Sequence, residues 1–529
     1  MVVGGYRTGG SGAITDDGGM TSGVGSWVER RARSRPESAA LVWGDRVWTY
    51  ETLADRIRRL AHGLASIGVR KGDRVGWIGP NHPAFIESLF ATATIGGAMA
   101  PANHMLDGTR LTEQLVDASP TVIVINGGRP AVALPSSVRA VVTVDAAPGA
   151  RADVDLETLI ADSTNGPIDV DIGQDDVCLI PYTSGTTGPS KGVMLTHGNV
   201  TWNVVNLLTC ADFRHDDVTL AIAPFFRSGG TGVNVLPVLF KGGTVVIPES
   251  GDPDDILGLT ERRRATIGFA NPDLLDALTR SRLWTTADLS SLRFVMTGGA
   301  PVPDRLIRIY QERGLALLQG YGLSEAAPFV LLLDPEVAIH KVGAAGRPPL
   351  FVDVRIVRPD GAGVAAGETG ELLVRGPNVM AGYRGREEAT RAALDTDGWL
   401  HTGDAARMDE DGDVWIVDRV RDGFRAGQRF VYPGDIERVI LEHPAVADVG
   451  VIGLPAPDGG AEAAAFVVAE DGNPVSATDI EAHCAGRLPA EAVPRSITFV
   501  ARLPRSSVGK LLRHELADLR DAPDERGER

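Results

Sequence analysis

The segment Val177-Cys-Leu-Ile-Pro-Tyr-Thr-Ser-Gly-Thr-Thr-Gly-Pro-Ser-Lys-Gly192 joins a short apolar run to a loop of glycines, hydroxyls and one lysine. The apolar run reads as a strand, and the loop sits where phosphate loops usually sit. Its glycines let the backbone turn so that successive N–H groups converge into an anion-binding nest. Thr183, Ser184, Thr186 and Thr187 add hydroxyl donors, Gly185 and Gly188 supply the turns, and Lys191 is a point charge. The pattern GxxxxGK[ST] does not fit, because Ser190 and not glycine precedes Lys191. Taken alone, the composition favours a flexible surface loop, and the segments that accompany it reverse that reading.

Working outward, short apolar runs bounded by Gly, Pro or Asp recur at residues 75–79, 98–101, 122–125, 141–144, 244–247 and 294–296. Helical patterns lie between them, as at residues 83–94. That alternation predicts buried parallel strands in an α/β architecture. After residue 404 the character changes. Strands are expected at 414–417, 446–452 and 464–468, and helices at 433–441 and 477–487. The expected organisation is a tail over residues 1–24, a large α/β domain over 25–418, a small mobile α+β domain over 419–517 joined by a hinge, and a charged tail over 518–529.

The chain has 529 residues, more than one core usually organises. A net charge of −17 argues against nucleic acid or an anionic membrane as partner. No apolar run reaches the ~18 residues of a membrane span. The Gly-rich N-terminus is not a signal peptide, so a cytoplasmic protein is expected. Cys178, Cys210 and Cys484 are far apart, which predicts reduced, mostly buried thiols rather than a zinc site or disulfides.

Six further segments accompany the loop, in order: Gly298-Gly-Ala-Pro301, Gln319-Gly-Tyr-Gly-Leu-Ser-Glu325, Gly370-Glu-Leu-Leu-Val-Arg-Gly-Pro377, Gly398-Trp-Leu-His-Thr-Gly-Asp404, Asp418-Arg-Val-Arg-Asp422 and Pro504-Arg-Ser-Ser-Val-Gly-Lys510. Together they resemble the adenylate-forming superfamily, in its acyl-CoA ligase branch. The resemblance implies ATP or AMP, coenzyme A and Mg²⁺ as cofactors, and a carboxylic acid or its adenylate as substrate. It implies two half-reactions served by a swinging C-terminal domain. By the same resemblance, Gly299, Ala300, Pro301, Gly320, Tyr321 and Gly322 meet the adenine, and Asp404 and Arg419 hold the ribose. Ser324 and Glu325 contact phosphate and Mg²⁺, Arg421 is the hinge, and Lys510 bridges carboxylate and α-phosphate. Each of these residues taken singly would more often be a turn, a cap or a solvated side chain.

Two departures from the family pattern stand out. In Ala223-Pro-Phe-Phe-Arg-Ser-Gly-Gly230 the family's histidine is replaced by Arg227. Arginine is longer, always cationic and only donates, so it is expected to pair with Glu325 or with phosphate oxygens. In Arg425-Ala-Gly-Gln-Arg-Phe-Val-Tyr-Pro433, Gly427 is kept but the second glycine becomes Gln428. The pair predicts impaired adenylation with thioester formation retained, a separate adenylating ligase then supplying the adenylate. A neutral swap at each position is the alternative.

By analogy with the family, Phe225, Phe226, Gly229, Gly230 and Val233 line an acyl pocket for an apolar acid. Ser228 and the glycines are expected to leave room for a bulky one. The segments also resemble natural-product ligases, such as those for diterpenoid acids of platensimycin-type pathways, without any single motif carrying that likeness. A ligase loading a carrier protein, and a non-catalytic nucleotide-binding sensor, remain as alternatives.

Overall fold

The computed structural model describes residues 23–127, 132–145, 153–183, 190–300, 302–338, 340–427, 429–456, 460–470, 472–505 and 511–521. Two eight-stranded sheets form the large lobe. In one, Phe294–Thr297, Ile267–Ala270, Val218–Leu220, Thr244–Ile247 and Ala39–Trp43 run parallel in that spatial order. In the other, Val177–Leu179, Ala98–Pro101, Arg74–Ile78, Val122–Asn126 and Ala140–Val144 do the same. The apolar runs expected as buried strands are therefore strands, and both sheets carry antiparallel strands toward an edge.

Each sheet is covered on both faces, and side-chain alternation assigns the layers. Leu41 and Val245 join one core while their neighbours Val42 and Val246 join another. Val122 and Val124 join the first of these cores, whereas Ile123 and Ile125 face a third. The first core thus lies between the sheets and holds the helices Tyr50–Ser66 and Pro83–Thr94. The second of these helices starts where expected, because Pro83 occupies the first turn and His82 accepts from the N–H of Ala84.

A four-stranded antiparallel sheet, ordered Asp353–Val357, Gly370–Arg375, Leu400–Met408, Val414–Arg419, adjoins this lobe. The small lobe packs the helices Pro433–Leu441 and Ala477–Cys484 on the three strands Val446–Pro455, Ala461–Ala469 and Ser496–Phe499. The second helix is shorter than its expected 477–487 span. Ala485 is already extended, and Gly486 takes a left-handed φ of +88°.

The described residues reach into both expected tails. Val24 is 1% exposed and donates to the His197 Nδ1 atom at 3.0 Å. At the other end, residues Ala517–Asp521 form a 3₁₀ turn in which Leu519 packs on the small lobe. Cys178 and Cys484 are buried, but Cys210 is exposed at the end of its helix. Among the described residues, no helix is long and apolar enough to cross a membrane.

Candidate active site

Parallel sheets bind ligands beyond the carboxyl ends of their strands, where the order of connection reverses. Such a reversal occurs here at Val218–Leu220. The next strand, Thr244–Ile247, pairs on one side of it, and the following one, Ile267–Ala270, on the other. A cavity of about 1290 Å³ opens at that point. Its walls come from the ends of three strands of this sheet, from the four-stranded sheet and from the connection at residues 419–421.

One end of the cavity is polar. Tyr321, which ends the strand Leu317–Tyr321, donates its hydroxyl to Asp404 Oδ2 at 2.6 Å. Asp404 is directly opposite Arg419 in the ladder of adjacent strands, and Arg419 Nε lies 3.0 Å from Asp404 Oδ1. Asp404 is 6% exposed, so its carboxylate is oriented by protein donors rather than by water. Burial, followed by the Asp404 charge, pushes the Tyr321 phenol well above its ordinary range, which keeps it a donor. Gly299 takes a φ of +87° with nothing within 4 Å of a β-carbon built there, so the backbone is open to a flat ligand. Ala300 and Gly320 share that wall.

Ser324 and Glu325 follow on a short 3₁₀ turn. Ser324 shares a 2.8 Å hydrogen bond with Ser228, and Glu325 Oε1 accepts from the Tyr383 hydroxyl at 2.8 Å. The glycine-and-hydroxyl loop emerges from Val177–Leu179 and returns into Val193–Thr196. Its neck is closed by a bridge between Tyr182 and Gly192 and by Thr183 N–H donating to Lys191 O at 3.1 Å. Thr183 and Lys191 line the cavity. Ser184, Gly185, Thr186, Thr187 and Gly188 lie outside the described residues, as do Pro301, Gln428 and Lys510.

The other end is apolar. Phe226, Val233, Phe269, Leu274, Phe329 and Leu332 line it. Phe225 is buried behind this wall, against Phe85. The glycines contribute less room than expected. A β-carbon at Gly230 would stand 2.3 Å from the Pro224 carbonyl oxygen, and one at Gly232 would stand 2.6 Å from Pro328 Cδ. Their missing side chains let a π-helical turn, Gly230–Val235, press against its neighbours. Gly229 and Gly230 both line the cavity, but only at Gly229 of these two would a β-carbon stand at ordinary contact distance, 3.4 Å from Phe269.

Arg227 lines the cavity between the two ends, but it does not pair with Glu325 as the sequence suggested. Glu325 is taken by Tyr383, and no described carboxylate lies within ion-pair distance of Arg227. Its guanidinium sits 5.7 Å from the Phe226 ring, and burial pulls its pKa below the ordinary arginine value. Arg421 lies in the 3₁₀ turn Val420–Asp422 at the start of the small lobe, 3.6 Å from Asp422. Gly427 takes a φ of +57°, the region glycine adopts without strain. Sequence reasoning missed Tyr383 and Phe269, since a lone aromatic carries no pattern that separates lining from packing.

Away from this cavity, Asp409, Asp411 and Asp413 converge as metal ligands do. Lys341 Nζ lies 2.7, 2.7 and 2.6 Å from the three carboxylates, so an ammonium already serves as their cation.

Comparison with known proteins bears directly on this geometry. The family model described as AMP-binding enzyme matches residues 28–384, and the AMP-binding enzyme C-terminal domain matches residues 435–510. The chain belongs to the AMP-binding enzyme family. It is 43% identical over 494 residues to a feruloyl-CoA synthase of Amycolatopsis sp, covering 93% of this chain and 98% of that one. It is 34% identical over 510 residues to an indoleacetate–CoA ligase of Aromatoleum aromaticum, covering 94% and 98%. Among solved structures it resembles ATP-bound MatB from Rhodopseudomonas palustris, with a TM-score of 0.83 and 28% identity over 95% of this chain and 99% of that one. It also resembles the O-succinylbenzoate coenzyme A synthetase of Bacillus subtilis in complex with ATP and magnesium ion, with a TM-score of 0.79 and 30% identity over 93% and 99%. The chain is accordingly an acid–thiol ligase of the acyl-CoA synthetase type, with ATP or AMP and coenzyme A as its cofactors.

Proposed function

We propose that this ligase converts an apolar aryl or alicyclic carboxylic acid, through its acyl-adenylate, to the CoA thioester. The observation that carries the reading is one continuous cavity with a nucleoside-binding set at one end and an aromatic wall at the other. Asp404 accepts from the ribose hydroxyls, Arg419 supports it, and Tyr321 stacks on the base. The donor set suits a magnesium ion, because the Glu325 carboxylate is a hard oxygen ligand facing the cavity beside Ser324. Magnesium, when bound with the triphosphate, supplies neutralisation of phosphate charge. Lys510, brought in by the small lobe, and the loop with Lys191 stabilise charge developing on phosphate oxygens.

In the first half-reaction a carboxylate oxygen attacks the α-phosphorus and pyrophosphate leaves. In the second, the CoA sulfur attacks the acyl carbon, the acyl–oxygen bond breaks, AMP leaves, and the thiol proton passes to solvent. The aryl character is supported by Phe226, Phe269 and Phe329 and by the acids named for the two relatives. The test is mass spectrometry of the purified protein with a panel of acids, ATP and CoA, and in parallel with preformed adenylates. Acyl-CoA together with AMP is expected. Absence of thioester in both arms overturns the reading, and transfer only to a carrier pantetheine arm replaces CoA with a carrier protein.

A narrower reading rests on Arg227. A half-buried guanidinium with no ion-pair partner among the described residues, beside the reacting carboxylate, attracts the substrate anion and holds it away from the α-phosphorus. Adenylation is then slow, while thioester formation from a supplied adenylate survives, and a second ligase provides that adenylate. Arg227→His combined with Gln428→Gly is expected to raise acid-dependent pyrophosphate exchange at least about tenfold, corresponding to one charged interaction removed. Robust exchange by the unmodified protein ends this reading.

A further inference from the structure

Tyr383 lies outside the seven segments, yet three parts of the cavity meet on it. It belongs to the two-residue strand Gly382–Tyr383, antiparallel to Val193–Thr196, so Tyr383 pairs with Val193 just after the loop that ends in Lys191. Arg384 N–H donates to Gly192 O at 2.9 Å, and Tyr383 N–H donates to Thr390 Oγ1 at 2.9 Å. On the other side, Met380 N–H donates to Glu325 O at 2.8 Å. Gly382 takes a φ of +139°, and a β-carbon there would lie 2.7 Å from Thr390 Cγ2, so the strand tolerates only glycine at that point. The Tyr383 side chain is consequently fixed from its own backbone outward, at 8% exposure.

Both functional parts of that side chain are occupied by charge. The hydroxyl donates to Glu325 Oε1 at 2.8 Å. The ring carries Lys191 Nζ 4.4 Å from its centre, a cation–π distance. Lys191 and Glu325 are opposite charges on one cavity wall, and they do not form an ion pair. An ion pair between them would use up the ammonium that meets phosphate and the carboxylate that meets a metal. Burial and the Glu325 charge push the Tyr383 phenol far above its ordinary range, so the hydroxyl stays a donor.

We propose that Tyr383 is a positioning residue, a rigid spacer that keeps Lys191 and Glu325 apart and aimed into the cavity for the magnesium polyphosphate. This rests on the acyl-CoA ligase reading above, in which both charges face that group. The hydroxyl orients the carboxylate, and the ring holds the lysine. Replacing the whole side chain lets the two charges collapse onto each other.

The test is calorimetric titration of the full-length protein with Mg·ATP and separately with AMP, which lacks the polyphosphate. Tyr383→Phe keeps the ring and loses the hydroxyl, and is expected to weaken Mg·ATP about tenfold, in line with one charge-assisted hydrogen bond. Tyr383→Leu loses both parts and is expected to weaken it further, by about threefold or more. AMP affinity should stay within about twofold in both variants, since its anchors Tyr321 and Asp404 are separate. Combining Tyr383→Leu with Lys191→Met, which prevents the collapse, should weaken Mg·ATP by less than the product of the two single effects. If the unmodified protein binds neither ligand, the ligase reading fails. If it binds both and Tyr383→Phe matches it, or if AMP weakens in parallel with Mg·ATP, the spacer role fails.

Discussion

Gly322 shows how one missing methyl group can shape the nucleoside end. A β-carbon at that position would stand 1.6 Å from the Pro328 carbonyl oxygen, which is backbone and cannot turn aside. The close approach is locked by Val330 N–H donating to Tyr321 O at 3.1 Å. Gly322→Ala must push the Tyr321 strand and the Pro328 segment apart, and with them the bond from Tyr321 to Asp404. A stability loss of about 2–3 kcal/mol is expected, as for other overpacked sites. AMP binding should weaken as well. Gly363 has nothing within 4 Å and no left-handed φ, so Gly363→Ala should stay within about 0.5 kcal/mol. Urea unfolding of both variants checks this, and equal stabilities would remove the packing explanation. Gly230 and Gly232 follow the same logic. Composition suggested room for substrate, whereas their neighbours already fill the space.

At the scale of elements, the strand at residues 122–125 was legible because its apolar run is local. So was the start of the helix at Pro83, whereas the helix starting at His197, set by a capping box between Thr196 and Asn199, was not read. What the sequence concealed is contact between distant elements. Arg513 illustrates this. From the turn Arg513–Glu515 its guanidinium reaches Asp418 at 3.1 Å and Glu437 Oε2 at 2.9 Å, and it donates to the Val451 carbonyl at 2.9 Å. It therefore ties the strand before residue 421 to the helix Pro433–Leu441 of the small lobe. Burial pushes both carboxylates above their ordinary range, and Arg513 offsets that cost. Arg513→Met strands two buried carboxylates, and a loss of about 3 kcal/mol is expected at pH 8. A carboxylate raised on folding makes the folded state bind protons more tightly. Its cost therefore grows as pH rises through the interval above the ordinary carboxylate pKa. The deficit of Arg513→Met should accordingly shrink at pH 5, and adding Asp418→Asn with Glu437→Gln should recover much of it. A deficit that is the same at both pH values would show that packing, not charge, is lost.

Over the whole molecule, two lobes and a cavity between strand ends were foreseeable, because strand-and-helix alternation implies the architecture. The meeting of residues 227, 321, 325 and 404 was foreseeable only through the family resemblance, and that of Tyr383 with them was not foreseen, since it depends on the order of strands in the sheet. Residues 23 and 24, expected within the tail, are structured, and His197 is the reason. Its ring is buried, its Nδ1 accepts from Val24, and the first described residues are pinned there. Accepting at Nδ1 requires the neutral ring. Burial, with Lys71 adding to it and Asp176 opposing, pulls His197 down to about 4. The sign follows from proton binding. In the unfolded chain the ring protonates near its ordinary pKa of about 6.5, while the folded ring stays neutral. Stability is therefore intact above that value and is lost as pH falls toward about 4, by roughly 3 kcal/mol for the full interval. Acidification also relieves the repulsion of a −17 chain, so the unmodified protein's melting temperature mixes the two effects. A difference against His197→Gln cancels the shared part. The unmodified protein should be the more stable of the two near pH 7, and its advantage should narrow steadily toward pH 4.5. Parallel melting curves across that range would mean that His197 does not carry the acid sensitivity, and the pinning of Val24 would then have no role in it.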